Sequence, residues 1–91
     1  MISREVTISN SSGLHARPAT FFVQKANHYS CSIAVENGDR KVNAKSLLGV
    51  LSLGIAQGMT ITLTADGAGE EEALEGMIEL INSGFVDLMD Q

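Results

Sequence analysis

His15 and Arg17 stand two residues apart in Gly13-Leu14-His15-Ala16-Arg17-Pro18, where a turn-rich stretch gives way to an apolar pattern of helical period. A neutral imidazole nitrogen is a competent nucleophile toward a phosphoryl group. The first turn of a helix presents backbone N–H groups that have no intrahelical partner, which suits an anion. Arg17 adds a permanent, forked charge matched to phosphate oxygens. Pro18 has no N–H, so the backbone donors are those of Ala16 and Arg17. Phosphoryl transfer asks a protein mainly for position and charge. The competing reading is that His15 caps the helix and Arg17 is a solvated surface charge. An isolated His-x-Arg-Pro would be read that way, because short motifs match by chance.

Ser46 is a second candidate. As a residue type it makes a good N-cap for the short helix expected over Leu47 to about Leu53, which Gly54 can end. Leu47, Leu48, Val50, Leu51 and Leu53 are too many apolar residues for one face of so short a helix. Some of them must be exposed, and an exposed apolar patch marks a partner surface. Leu47, Leu48 and Leu51 are therefore the expected docking residues, with Thr20 on the neighbouring helix. A phosphate on Ser46 would sit at a helix N-terminus, where it stabilises the helix by roughly 0.3–1 kcal/mol.

Other reactive side chains read as structure. His28 follows the first helix, where a cation suits the negative end. Cys31 reads as a small core residue. Met59, Met77 and Met89 fit core or tail positions, and Glu70, Glu71 and Glu72 look like a solvated helix start. No set of residues converges as metal ligands, and no cofactor is expected.

The elements that must position these residues fit one domain over 1–91, since ninety-one residues allow one core and no separate catalytic lobe. Val6 and Ile8 alternate in a first strand, and Asn10-Ser11-Ser12-Gly13 reads as a loop. Ala19, Phe22, Val23 and Ala26 form one helix face, with Pro18 tolerated in the opening turn. Ile33 and Val35 mark a second strand, Asn37-Gly38 a hairpin turn and Val42 the returning strand. Ile61, Leu63 and Ala65 alternate with Thr60, Thr62 and Thr64 in a fourth. After a loop from Asp66 to Gly69, a last helix carries Leu74, Met77, Ile78 and Ile81 inward and stops near Gly84. An acidic tail, expected to be flexible, fills 85–91. The order βαββαβα predicts an α+β layer with helices on one face of the sheet.

Charge and composition exclude several classes. A formal net charge of −5 argues against a nucleic-acid groove and against an anionic membrane surface. The longest apolar stretch, Leu47 to Ala56, is too short to span a bilayer and is broken by Gly49, Ser52 and Gly54. A single cysteine and no apolar leader point to a reducing, cytoplasmic setting.

Residues 13 to 20, Gly-Leu-His-Ala-Arg-Pro-Ala-Thr, resemble the signature of the HPr family, the histidine-containing phosphocarriers of the bacterial phosphoenolpyruvate:sugar phosphotransferase system. The stretch from Val42 to Gly54 resembles that family's regulatory serine and the short helix after it. Gly58 before the last strand and the acidic start of the final helix match as well. The resemblance implies an open-faced β-sandwich with a four-stranded antiparallel sheet in order 1-4-2-3. It implies that Enzyme I, charged by phosphoenolpyruvate, phosphorylates Nδ1 of His15, and that the phosphate passes to the A components of sugar permeases. The chain would then be a stoichiometric carrier and not an enzyme. Paralogues that have lost carrier activity lack this histidine.

The same resemblance makes Ser46 the target of an HPr kinase/phosphorylase, with a transcriptional regulator as a further partner. Gly49 is similar to forms that such kinases use. Two alternatives stay open at this point. One is a mainly regulatory module in which Ser46 phosphorylation matters most. The other is a nitrogen-branch carrier, since Asn82-Ser83-Gly84-Phe85 is similar to endings of nitrogen-related and some proteobacterial homologues.

Overall fold

The computed structural model describes residues 1–85. In chain order it forms β1 (Ile2–Thr7), α1 (Ala16–Ala26), β2 (Ser32–Asn37), β3 (Arg40–Asn43), α2 (Leu47–Ser52), β4 (Thr60–Asp66) and α3 (Glu70–Asn82). The four strands make one antiparallel sheet in order β1-β4-β2-β3, as expected.

Register puts the apolar sets on one face. Val6 pairs with Ile61, Val35 with Leu63 and Ile33 with Ala65, and all six are buried. Because side chains alternate along a strand, the intervening Thr60, Thr62 and Thr64 lie on the other face. There Ser3 shares a hydroxyl hydrogen bond with Thr64 at 2.8 Å and Thr7 one with Thr60 at 2.9 Å. The three helices cover the apolar face and leave this hydroxyl face open. Phe22, Leu74, Met77 and Ile81 reach the sheet from α1 and α3 and are fully buried. Burial of one such side chain contributes about 1.5–3 kcal/mol.

Three expectations shift. The hairpin turn is Gly38-Asp39, one residue later than expected, because Asn37 is still paired, opposite Arg40. Gly38 has φ +65 at the first central position, where a two-residue hairpin accepts glycine. Phe85, assigned to the tail, is fully buried in the core. The rest of the expected tail, 86–91 with Met89, lies outside the described residues. Met59 is the third correction: it is 40% exposed, not a core residue. Cys31 and Met77 are buried, as their types suggest.

The start of β1, the end of β4 and the start of α3 are tied by charge. The Met1 amine lies 2.9 Å from Glu70 and 3.5 Å from Asp66. Bonds from that amine and from the Gly67 N–H hold the Glu70 carboxyl below the usual carboxylate range.

Candidate functional site

His15 occupies the N-cap position of α1 with extended backbone, φ −123 and ψ 157, and its side chain makes no capping hydrogen bond. The ring is exposed. The simpler reading, in which His15 serves as a helix cap, therefore has no bond to support it. Ala16 follows with φ +51, in the left-handed region that a non-glycine residue enters at a cost of about 1–3 kcal/mol. The chain thus bends sharply directly after the imidazole. The N–H groups of Ala16 and Arg17 precede the first intrahelical donor, so they remain available to an anion.

The bend is braced from below. Leu14 is fully buried and donates its N–H to the Ile55 carbonyl at 3.0 Å. Gly13, at φ +61, lies so close to the Ile55–Ala56 backbone that a Cβ there would meet the Ile55 oxygen and come within 2.8 Å of the Ala56 Cα. Asn10 closes the turn: its Nδ2 donates to the Gly13 carbonyl at 2.9 Å, and its own carbonyl accepts the Gly13 N–H at 3.1 Å. Sequence reading placed Gly13 and Leu14 in the motif but did not see this brace, which depends on residues some forty positions away.

Arg17 is exposed and lies over Phe21, its guanidinium carbon 6.0 Å from the ring centroid. That is a weak cation–π contact at its outer range. Phe21 also borders a shallow groove of about 460 Å³ between α1 and α3, lined with Lys25, His28, Gly76 and Leu80. His15 does not line this groove. Thr20 is exposed and donates its hydroxyl to the Ala16 carbonyl at 3.3 Å.

Ser46 does cap α2: its Oγ accepts the Gly49 N–H at 3.1 Å. Gly49 is close-packed, since a Cβ would lie 3.3 Å from both Ser46 Oγ and Val42 Cβ. A six-residue helix is too short to persist by itself. Val50 anchors it in the core. Its C-terminal carbonyls are taken up by the hairpin: Arg40 donates to the Ser52 carbonyl at 2.6 Å and to Ser52 Oγ at 3.1 Å, and Asn37 donates to the Leu53 carbonyl at 3.2 Å. Neither Arg40 nor Asn37 carried a sequence signal for this role. With the helix fixed in this way, Leu48 is 83% exposed, Leu47 40% and Leu51 37%.

The helices α1 and α2 lie side by side and run in opposite directions. Asn27, at the end of α1, reaches the Lys45 carbonyl at 3.4 Å, while Leu14 bonds Ile55 beyond the end of α2. His15 and Ser46 therefore occupy opposite ends of the pair. Neither helix carries a carboxylate, whereas Glu70, Glu71, Glu72, Glu75 and Glu79 all sit on α3. Among the described residues no group of His, Cys, Asp and Glu is placed to hold a metal ion, and no helix is long and apolar enough to cross a membrane.

Comparison with known proteins agrees with this geometry. A family model described as the PTS HPr component phosphorylation site matches residues 2–83. The HPr-like protein Crh of Halalkalibacterium halodurans is 46% identical over 81 residues, which cover 89% of this chain and 96% of that protein. The crystal structure of HPr-C-His from Thermoanaerobacter tengcongensis superposes with a TM-score of 0.92 at 48% identity, covering 93% of this chain and 96% of that one. A phosphocarrier protein HPr from Bacillus anthracis gives a TM-score of 0.86 at 42% identity, with 88% and 95% covered.

Proposed function

The chain belongs to the PTS HPr family, and from that membership we propose that it is a cytoplasmic phosphoryl carrier with His15 as the acceptor. The observation that carries this reading is the exposed, uncapped imidazole on the bend at the start of α1, with Arg17 two residues on. In the proposed step, the lone pair of Nδ1 attacks the phosphorus of a phosphoryl group held by Enzyme I. A P–N bond forms at His15 as the bond to Enzyme I breaks. The phosphate oxygens take hydrogen bonds from the Ala16 and Arg17 N–H groups and charge from the Arg17 guanidinium. The reverse geometry hands the group to the A component of a sugar permease. The protein leaves each exchange unchanged apart from the phosphate, so it is a stoichiometric carrier and not an enzyme.

The carboxylate-free surface of α1 and α2, with Thr20, Leu47, Leu48 and Leu51 exposed, supports docking at this face. Enzyme I and the permease components would meet the carrier there. Ser46 would be the target of an HPr kinase/phosphorylase, and the phosphorylated form would suit a transcriptional regulator that offers arginines.

A second reading is favoured by the relatives called Crh, among them a solved structure described as the Bacillus subtilis catabolite repression HPr, 40% identical over 88% of this chain. In it the protein acts chiefly through Ser46 phosphorylation. One experiment separates the two. Enzyme I and labelled phosphoenolpyruvate are expected to give an acid-labile, base-stable label, with a phosphorus resonance of Nδ1-phosphohistidine, in the wild type and none in His15→Ala. Undiminished labelling of His15→Ala would sink the carrier assignment. A wild-type chain labelled only by a serine kinase would establish the second reading.

A further inference from the structure

Met59 lies where the segment after α2 meets the loop beneath His15. Ala56 to Met59 form a turn, in which the Met59 N–H is donated to the Ala56 carbonyl at 3.1 Å. The Met59 side chain folds back over this turn, and its sulfur accepts the Ala56 N–H at 3.3 Å. The same sulfur accepts a longer contact, 3.8 Å, from the Asn37 amide that also holds the Leu53 carbonyl. Ala56 in turn is the residue against which Gly13 packs, and its neighbour Ile55 accepts the Leu14 N–H. One thioether therefore joins the exit of α2 to the support of the His15 bend. Met59 is 40% exposed, so a small solute can reach it, whereas Met77 is fully buried.

We propose that Met59 is a redox-sensitive positioning residue: a peroxide that oxidises it to the sulfoxide shifts the Ala56 turn and slows phosphoryl transfer at His15. In the chemical step a sulfur lone pair attacks the distal peroxide oxygen. The S–O bond forms, the O–O bond breaks, sulfur loses two electrons, and the proton of the attacked oxygen passes to the departing oxygen, which leaves as water or an alcohol. The weak sulfur acceptor is replaced by a strong oxygen acceptor one bond length further out. The Ala56 N–H and the Asn37 amide must then re-aim, and Gly13 has no slack against Ala56 to absorb the change. The transfer part of this inference rests on the carrier reading above, whereas the structural coupling does not.

The test treats the wild type and Met59→Leu with dilute hydrogen peroxide. Leucine conserves volume and cannot form a sulfoxide, while Met1, Met77 and Met89 remain in both proteins. Oxidised wild type is expected to show moved amide resonances at Ala56, Leu14 and His15. Its transfer from Enzyme I is expected to slow about fivefold, since a displacement of about 1 Å can cost up to about 100-fold. Its melting temperature is expected to hold, and methionine sulfoxide reductases should restore both signals. Met59→Leu should show the same amide positions and transfer rate before and after peroxide. Wild type oxidised at Met59 with unmoved Leu14 and His15 amides would overturn the proposal, as would equal slowing in treated Met59→Leu. If untreated wild type took no phosphate from Enzyme I, the carrier reading would fail, and the amide shifts alone would decide the coupling.

Discussion

Leu14 donates its backbone N–H to the Ile55 carbonyl at 3.0 Å, and this bond fastens the residue before His15 to the segment that leaves α2. The loop that carries His15 and the helix α2 are thus parts of one assembly. Gly13 sits at the closest point between them, which makes it a sensitive place to test the arrangement.

Gly13→Ala is expected to damage both stability and transfer. Its φ of +61 alone would penalise an alanine, but Gly54 has nearly the same φ, +60, with open space around its absent Cβ. Gly54→Ala therefore isolates the backbone cost, about 1–2 kcal/mol. Gly13→Ala adds a steric conflict with the Ile55–Ala56 backbone, expected to bring a further loss of about 1–3 kcal/mol. Urea unfolding of the two variants measures the difference, and transfer from Enzyme I shows whether the His15 bend moved. Equal stability losses with normal transfer in both would mean that the Gly13 contact positions nothing.

Much of this arrangement was legible locally, and its long-range ties were not. Helical spacing found the buried face of α1 through Ala19, Phe22 and Ala26, and alternation found Ile61, Leu63 and Ala65. Ser46 was read as a cap from its type, and the crowded leucines after it gave the exposed patch by simple counting of faces. The misplaced features depend on tertiary partners. The hairpin turn moved by one residue because Asn37 stays paired with Arg40, while its side-chain amide is held by the Leu53 carbonyl sixteen positions away. Phe85 was assigned to a tail since nothing in the Asn-Ser-Gly-Phe run reveals that the core has room for it. Arg40 at Ser52 and Met59 at Ala56 involve polar or sulfur groups at surface positions, where no hydrophobic period announces a contact.

Arg17→Ala is expected to separate function from folding. The guanidinium is exposed over Phe21, and such a contact is worth about 0.5–1 kcal/mol at most. Melting should change little. Transfer is a different matter, because removing one preorganised group that meets developing charge typically costs about 100-fold or more. Arg17→Lys keeps the charge without the fork and should fall between. Matched melts and single-turnover rates check this, and a large drop in melting temperature with normal transfer would contradict it.

Leu48→Glu tests the docking patch. At 83% exposure the side chain contributes little to the core, so the variant should fold within about 0.5 kcal/mol of wild type. It places a carboxylate at the centre of a surface that otherwise has none. Binding to Enzyme I is expected to weaken about tenfold, the equivalent of about 1.4 kcal/mol lost from one apolar anchor. Calorimetry with unchanged affinity would put the docking surface elsewhere.

Phosphorylation of Ser46 is expected to slow transfer through docking and not through the chemistry at His15. Serine already accepts the Gly49 N–H at the start of α2. Phosphate oxygens can take over that bond with about −1.5 to −2 units of charge, so the helix should persist and circular dichroism should be unchanged. Ser46 lies at the end of α1 that Asn27 marks, and His15 lies at the other. The eleven residues of α1 span about 16 Å, roughly twice the Debye length of about 8 Å at physiological salt. Repulsion between the two phosphates is therefore a small effect. The new charge instead arrives beside Leu47 and Leu48, where a partner must desolvate it. The expected result is a raised KM for Enzyme I with kcat nearly intact. Ser46→Asp, which brings less charge, should show a weaker form of the same change. A fall in kcat at saturating Enzyme I would point to coupling through α1 to His15. An unmodified rate at every concentration would leave Ser46 as a helix cap alone.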